Sequence, residues 1–166
     1  MDLPTQARVV IIGGGVIGCS VAYHLAKMGW TDVVLLERKQ LTSGTTWHAA
    51  GLIGQLRASA SMTKLARYSA ELYTRLEEET GVATGFRQVG SVSAALTDER
   101  LEELHRQAAM ARAFGVPVEE LSPDEVKARY EHINIEGVTG GVWLPTDGQA
   151  DPANIALALA KGARQS

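Results

Sequence analysis

Three glycines and one glutamate near the start of the chain have the types and spacing of a dinucleotide-binding site. Gly13, Gly15 and Gly18 follow the GxGxxG pattern. In this pattern the first glycine allows a tight turn, the second lets the backbone approach a pyrophosphate, and the third lets a helix pack closely on a strand. Glu37 follows at about the 20-residue spacing of the acid that accepts hydrogen bonds from the adenosine ribose. These residues predict a ligand with a free ribose hydroxyl, NAD or FAD rather than NADP.

A strand, a helix and a second strand must position these residues. Val9–Ile12 is a run of β-branched residues, typical of a central strand of a parallel sheet that is covered on both faces. The helix that begins at the glycines directs unpaired N–H groups at the phosphates, and Gly29 is expected to end it. Val33–Leu36 is the second apolar strand, with Glu37 at its end. The alternative is a glycine turn between packed elements, with Glu37 merely solvated.

The next stretch distinguishes between the two ligands. Residues 40–51 read QLTSGTTWHAAG, a run of small and hydroxyl side chains interrupted by Trp47 and His48, and its backbone can lie close to an extended ligand. This stretch resembles the amine-oxidising branch of the D-amino-acid oxidase-like flavoproteins, most closely the sarcosine and dimethylglycine dehydrogenases. The resemblance extends over almost the whole chain, through the segments QLR (residues 55–57), LEEETG (76–81), LSPDEVK (121–127) and PTDGQADP (145–152).

The resemblance implies a set of FAD contacts beyond the three glycines. It places them at Val16, Ile17, Glu37 and Arg38, and along the segment made of Gly44, Thr45, Thr46, Trp47, His48, Ala49, Ala50, Gly51 and Leu52. It also implies that His48 carries FAD covalently. An imidazole is largely neutral at physiological pH and can act as a nucleophile toward the activated ring methyl group of a flavin. We expect such a link to anchor the flavin and raise its reduction potential. The alternative for His48 is a non-covalent flavin neighbour or a hydrogen-bonded loop histidine.

Composition limits the classes of function. The chain has 166 residues, 45% of them hydrophobic, and a formal charge of -3, which is enough apolar sequence for one core. No basic patch favours nucleic acid or an anionic membrane, and no apolar run approaches the roughly 20 residues of a membrane helix. The first residues, MDLPTQAR, leave no room for a targeting peptide before the first strand, so a cytosolic protein is expected.

Cysteine and histidine usage gives no metal site. Cys19 is the only cysteine, which excludes an intramolecular disulfide and predicts a small buried hydrophobic residue. The remaining histidines, His24, His105 and His132, are isolated from any ligand spacing and are interpreted as surface or packing residues.

The remaining elements predict an α/β protein with a second, antiparallel part. An amphipathic helix is expected over residues 59–80, a strand over residues 86–96, and capped helices after Thr97, Ser122 and Asp151. With the resemblance, the fold class is a Rossmann-like FAD-binding domain, a parallel sheet with helices, plus the start of an antiparallel-sheet substrate domain, and it is incomplete. Residues 1–85 are expected to begin the FAD-binding domain, 86–145 the substrate-side domain, and 146–166 to return to the first.

The function that the resemblance implies is FAD-dependent oxidation of the C–N bond of an N-methyl amino acid such as sarcosine or dimethylglycine. A hydride would pass to the flavin, water or tetrahydrofolate would intercept the iminium product, and oxygen or an electron-transfer flavoprotein would accept the electrons. Catalytic residues are expected beyond Ser166, so none is named, and the fragment alone is expected to be inactive. Two alternatives are a non-catalytic regulatory subunit resembling that of pyruvate dehydrogenase phosphatase, and a plain NAD-binding module.

Overall fold

The structure is a computed structural model that describes residues 4–166. Residues 1–3 of the expected first domain lie outside the described residues. The helices and strands follow one another along the chain in the order β1 (Val9–Ile12), α1 (Val16–Lys27), β2 (Val33–Leu36), a 3-10 helix (Thr46–His48), β3 (Leu52–Ile53), α2 (Ala60–Thr80), β4 (Arg87–Gln88), β5 (Ser91–Ala95), α3 (Asp98–Ala113), β6 (Glu119–Leu121), α4 (Pro123–Arg129), β7 (Gly140–Leu144), β8 (Gly148–Gln149) and α5 (Pro152–Gln165).

The described chain divides into two compact units. The first comprises residues 4–52, 71–86 and 150–166, and the second comprises residues 53–70 and 87–149. Residues 53–70 and 146–149 thus belong to the second unit, although the sequence placed them with the FAD-binding domain. The assignment of an FAD-binding and a substrate-side domain stays a prediction.

The first unit contains the parallel strand pair that the β-branched runs predict. Strand β1 pairs with β2 in parallel, with Val9 opposite Val33 and Ile12 opposite Leu36. Helix α1 connects the two strands, and Gly29 follows it with a φ of 80°, as the expected end of the helix requires. One expectation was wrong: Ile12 is 87% exposed, because the described elements cover only one face of β1.

The core of the first unit lies between α1, α5 and the second half of α2. Cys19 is fully buried, as expected, and burial raises the pKa of its thiol, which therefore stays protonated. Helices α1 and α5 approach closely because Gly162 has no side chain: a Cβ there would lie 2.8 Å from the ring of Tyr23. The other fully buried members of this core are Leu72, Leu76, Ile155, Ala156, Ala158 and Leu159.

The second unit is built on antiparallel strands. The order β5-β7-β6 forms one sheet, and β3-β8-β4 forms a second sheet of short strands. Helix α3 begins at the expected cap, where the Thr97 hydroxyl accepts a hydrogen bond from the Arg100 N–H at 3.2 Å. Helix α4 begins at the expected capping box of Ser122 and Glu125. The apolar face of α3 and the main sheet share a core of Ala95, Leu104, Ala108, Ala111, Val116, Val142 and Leu144.

The expected continuous strand over residues 86–96 was wrong, because Gly90 divides it into β4 and β5. Gly90 has a φ of 74°, which a strand does not allow, and a Cβ on it would lie 2.0 Å from Trp143. The parallel pair with its helices and the antiparallel sheets confirm the predicted fold class. None of the helices within residues 4–166 has the length and apolar character needed to cross a membrane.

Candidate FAD-binding site

The glycine pattern forms a tight turn between β1 and α1. Gly13 has a φ of 110°, in the region that favours glycine, and its N–H donates to the carbonyl oxygen of Leu36 at 2.8 Å. Gly18 lies directly against this turn, since a Cβ on it would be 1.9 Å from the carbonyl oxygen of Gly13. The first and third glycines therefore have the roles that the spacing predicts.

Glu37 contacts the same turn through its carboxylate. One oxygen, Oε2, accepts a hydrogen bond from the Gly14 N–H at 2.8 Å, and Oε1 accepts one from the Lys39 N–H at 3.0 Å. These backbone donors, that of Gly14 first, hold the pKa of Glu37 below its usual value. The side chain is therefore ionised at neutral pH and only accepts hydrogen bonds, as a partner for ribose hydroxyls must.

Gly14 is a site residue that the GxGxxG reasoning missed. A Cβ there would lie 2.5 Å from Leu41 Cδ2 and 3.0 Å from Glu37 Cβ, so no larger residue fits without displacing the acid. One sequence feature could have identified Gly14: the turn contains three consecutive glycines, whereas the GxGxxG pattern requires only the first and the third of them.

The N-terminus of α1 is partly capped by the loop that follows β2. The Thr46 hydroxyl, in a residue only 7% exposed, accepts a hydrogen bond from the Val16 N–H at 3.0 Å. A Cβ on Gly15 would lie 2.9 Å from that hydroxyl oxygen. Among residues 4–166, the N–H groups of Gly15 and Ile17 have no acceptor. These donors, at the positive end of the helix dipole, suit a pyrophosphate.

The start of the loop is held in a strained conformation. Thr42 is the one non-glycine residue within the described chain with a positive φ, 72°, and it is β-branched. Such a conformation costs on the order of 1–3 kcal/mol and persists only where neighbouring contacts enforce it. Here the Thr42 N–H donates to the carbonyl oxygen of Gly14 at 2.9 Å, which ties the loop to the glycine turn. Sequence reasoning missed this contact.

The rest of the loop presents an exposed surface. Trp47 is 59% exposed and Leu52 is 77% exposed. The rings of Trp47 and His48 pack edge to face, with their centroids 3.8 Å apart. Among the other predicted contacts, Arg38, Gly44, Thr45, Ala49 and Ala50 are exposed, whereas Gly51 is buried. The structure thus brings the glycine turn, Glu37 and Thr46 together and leaves His48 accessible to a ligand.

A cavity of about 650 Å³ lies beside α1, β2 and α5 in the same unit. Glu37 and Lys39 line it, but its other lining residues are mainly apolar residues of those three elements, and they include none of the glycines or of residues 44–52. The cavity and the glycine turn therefore share Glu37.

The residues present fit FAD. The free N–H groups at the helix N-terminus suit the pyrophosphate, and the ionised Glu37 suits the ribose of the adenosine. The turn has no side chain where the backbone must approach a ligand.

The lowered pKa of Glu37 gives a testable pH dependence. Because the pKa is lowered in the folded state, the stabilisation is complete above the ordinary value of about 4.3 and is lost as the pH falls through the lower folded value. We expect the thermal midpoint of the full-length protein to fall more steeply between pH 5 and roughly pH 3 than that of Glu37→Gln. Glu136→Gln, at an exposed glutamate, is the control and should follow the wild type. If the thermal midpoints of the wild type and Glu37→Gln fall in parallel with pH, the lowered pKa of Glu37 is contradicted.

Comparison with known proteins agrees with this geometry. Residues 8–166 match the sequence model of the family described as FAD dependent oxidoreductase. The chain is 46% identical to human sarcosine dehydrogenase, covering 97% of this chain and 18% of that protein. It is 42% identical to dimethylglycine dehydrogenase of Rattus norvegicus, covering 96% and 19%. It is 44% identical to the pyruvate dehydrogenase phosphatase regulatory subunit of Mus musculus, covering 99% and 19%.

The solved structures give the same result. The crystal structure of L-proline dehydrogenase from P. horikoshii superposes with a TM-score of 0.90 at 32% identity, over 98% of this chain and 43% of that one. The chain spans about a fifth of the length of the three relatives in the preceding paragraph, 18% to 19%. The match also decides between the two dinucleotides that the glycine pattern left open. This chain belongs to the FAD dependent oxidoreductase family.

Proposed function

We propose that the full-length protein containing this chain oxidises the C–N bond of an N-methyl amino acid of the sarcosine or dimethylglycine type. One observation carries this proposal: the same unit contains two features of a flavin site. The glycine turn is hydrogen-bonded to Glu37, and the small-residue loop after β2 contains the exposed Trp47-His48 pair. The names of the relatives support the substrate class. Bound FAD would supply two-electron oxidation by accepting a hydride from the N-methyl carbon.

The residues of this chain would hold and orient the cofactor. The N–H groups of Gly15 and Ile17 would bind the pyrophosphate, and Glu37 would accept hydrogen bonds from the ribose. Residues 44–52 would line the flavin, because their small side chains allow close approach of the backbone. Thr46 would contribute by fixing the loop on the turn, since its hydroxyl accepts from Val16.

We further propose that His48 forms the covalent link to the flavin. Its imidazole is exposed, and the edge-to-face packing with Trp47 restricts the orientations that the ring can take. An oriented imidazole can act as a nucleophile, and its link would retain the cofactor through unfolding.

The test of the link is acid precipitation of the full-length protein, followed by measurement of flavin fluorescence in the pellet. We expect fluorescence in the wild-type pellet and its loss to the supernatant in His48→Ala, because the nucleophile is missing. His132→Ala, at an exposed histidine, is the matched control and should keep the flavin in the pellet. Flavin that stays with the His48→Ala pellet would exclude this residue as the attachment point.

A non-catalytic regulatory role is the second candidate, because the chain is 44% identical to a phosphatase regulatory subunit. Addition of sarcosine or dimethylglycine without an electron acceptor separates the two roles. Loss of the flavin absorbance would support the amine oxidoreductase, and unchanged absorbance with both amines would support the regulatory role.

We also propose three finer features of the full-length protein. They are a tetrahydrofolate partner, an acceptor that is either oxygen or an electron-transfer flavoprotein, and a cytosolic location. The mammalian relatives named above are described as mitochondrial proteins.

A further inference from the structure

The segment PTDGQADP, residues 145–152, contains a buried acid that the proposed function does not use. Asp147 is 6% exposed, and both of its carboxylate oxygens accept hydrogen bonds. Oδ1 accepts from the backbone N–H of Gln55 at 2.8 Å, and Oδ2 accepts from the hydroxyl of Ser91 at 2.7 Å. Both oxygens of the Asp147 carboxyl group are thus engaged, one with the chain at Gln55 and the other with Ser91.

Gln55 makes a second hydrogen bond to the same turn. It is also 6% exposed, and its side-chain Nε2 donates to the carbonyl oxygen of Thr146 at 2.5 Å. The residue therefore donates from both its backbone and its side chain to two consecutive residues of one turn. Arg57 is fixed next to it, because its N–H donates to the buried Thr63 hydroxyl at 3.0 Å.

Gln55 follows the proposed flavin-lining segment, residues 44–52, by only a few residues. The last part of that segment is itself attached to the 145–152 stretch, where the Ala150 N–H donates to the carbonyl oxygen of Gly51 at 2.9 Å. The chain leaving the loop is thus fixed at Gly51 and again at Gln55.

We propose that Asp147 is a positioning residue for the flavin-lining segment and acts through Gln55. This inference rests on the proposed function, because it takes residues 44–52 as the wall of the flavin site. Removal of the carboxylate leaves the buried Gln55 N–H and the half-buried Ser91 hydroxyl without their acceptor, and we expect the chain after Leu52 to rearrange. If the loop then has its binding conformation for about one-tenth of the time, the apparent Kd for FAD rises about tenfold.

The affinity is measured in the full-length protein that carries His48→Ala, in which FAD exchanges freely, by titration of the apoprotein with FAD below its thermal midpoint. We expect Asp147→Ala to raise the Kd about tenfold. Asp147→Asn should stay near the starting value, because the amide oxygen still accepts from Gln55. Leu104→Ala removes a fully buried side chain from the core of the same unit, so it lowers the thermal midpoint and should leave the Kd unchanged.

An unchanged Kd in Asp147→Ala would overturn the inference, and so would an equal rise in Leu104→Ala, because the effect would then follow stability alone.

If Asp147→Ala does not fold, Gln55→Ala replaces it. That variant keeps its backbone N–H bond to Asp147 and loses the bond to Thr146. A severalfold higher Kd in Gln55→Ala supports the inference, and an unchanged Kd overturns it. A wild-type protein that binds no flavin would instead overturn the proposed function, and this inference with it.

Discussion

Replacement of Gly51 by alanine is expected to destabilise the protein by about 3 kcal/mol and to abolish FAD binding. Gly51 has a φ of 75°, and a non-glycine residue in that region loses roughly 1–2 kcal/mol. The new Cβ would also lie 2.1 Å from the carbonyl oxygen of Ala150, which belongs to the backbone and has no rotamer to change. The backbones at Gly51 and Ala150 therefore have to move apart, and the hydrogen bond from the Ala150 N–H to the Gly51 carbonyl oxygen, worth about 1 kcal/mol, is lost.

The measurement is the thermal midpoint of the apoprotein together with its FAD content. A loss of this size corresponds to a decrease of about 6 °C or more in a domain of this length. Gly44→Ala is the matched control in the same loop, because a Cβ there meets nothing within 4 Å. The apoprotein of this control should melt with the wild type. A Gly51→Ala protein that melts with them and retains FAD would show that the loop does not have the described path.

Gly18→Ala should give the second large effect, by separating α1 from β1. Its Cβ would lie 1.9 Å from the carbonyl oxygen of Gly13 and 3.4 Å from Ile11 Cγ2, so the start of the helix has to move outward. Overpacking of this kind costs about 1–3 kcal/mol. The N–H groups that would bind the pyrophosphate move with the helix, so FAD binding should be lost even where the protein still folds.

The effect of Gly18→Ala is measured in the same way, from the FAD content of the protein and its thermal midpoint. Val21→Ala, on the same helix but 43% exposed, is the control and should bind FAD like the wild type. Normal FAD binding by the Gly18→Ala protein would mean that the close helix-strand contact is not needed for the site.

The parts of the site that depend on local signals could be predicted from the sequence. The spacing of Gly13, Gly15 and Gly18 identified the turn, and the acid after the second strand identified Glu37. Helix caps such as that of Thr97 were also predicted, because a capping side chain bonds to backbone only a few residues away. Each of these signals is contained in a short stretch of sequence.

The features that sequence analysis missed depend on contacts between distant residues. Gly14 is required because Leu41 and Glu37 fold back on it, and the positive φ of Thr42 is enforced by a hydrogen bond to Gly14. Gly90, where the strand breaks, lies against the Trp143 ring, which comes from another strand. No pattern of period two or 3.6 contains such information, and among these positions only Gly14 had a sequence signal, the run of three glycines.

The hydroxyl of Thr46 has a consequence for the exchange of amide protons in the apoprotein. Because the Thr46 hydroxyl accepts from the Val16 N–H, one donor in the first turn of α1 already has a protein partner before any nucleotide is added. We therefore expect the amide proton of Val16 to exchange slowly with solvent in the apoprotein, and those of Gly15 and Ile17 to become protected only when FAD is added.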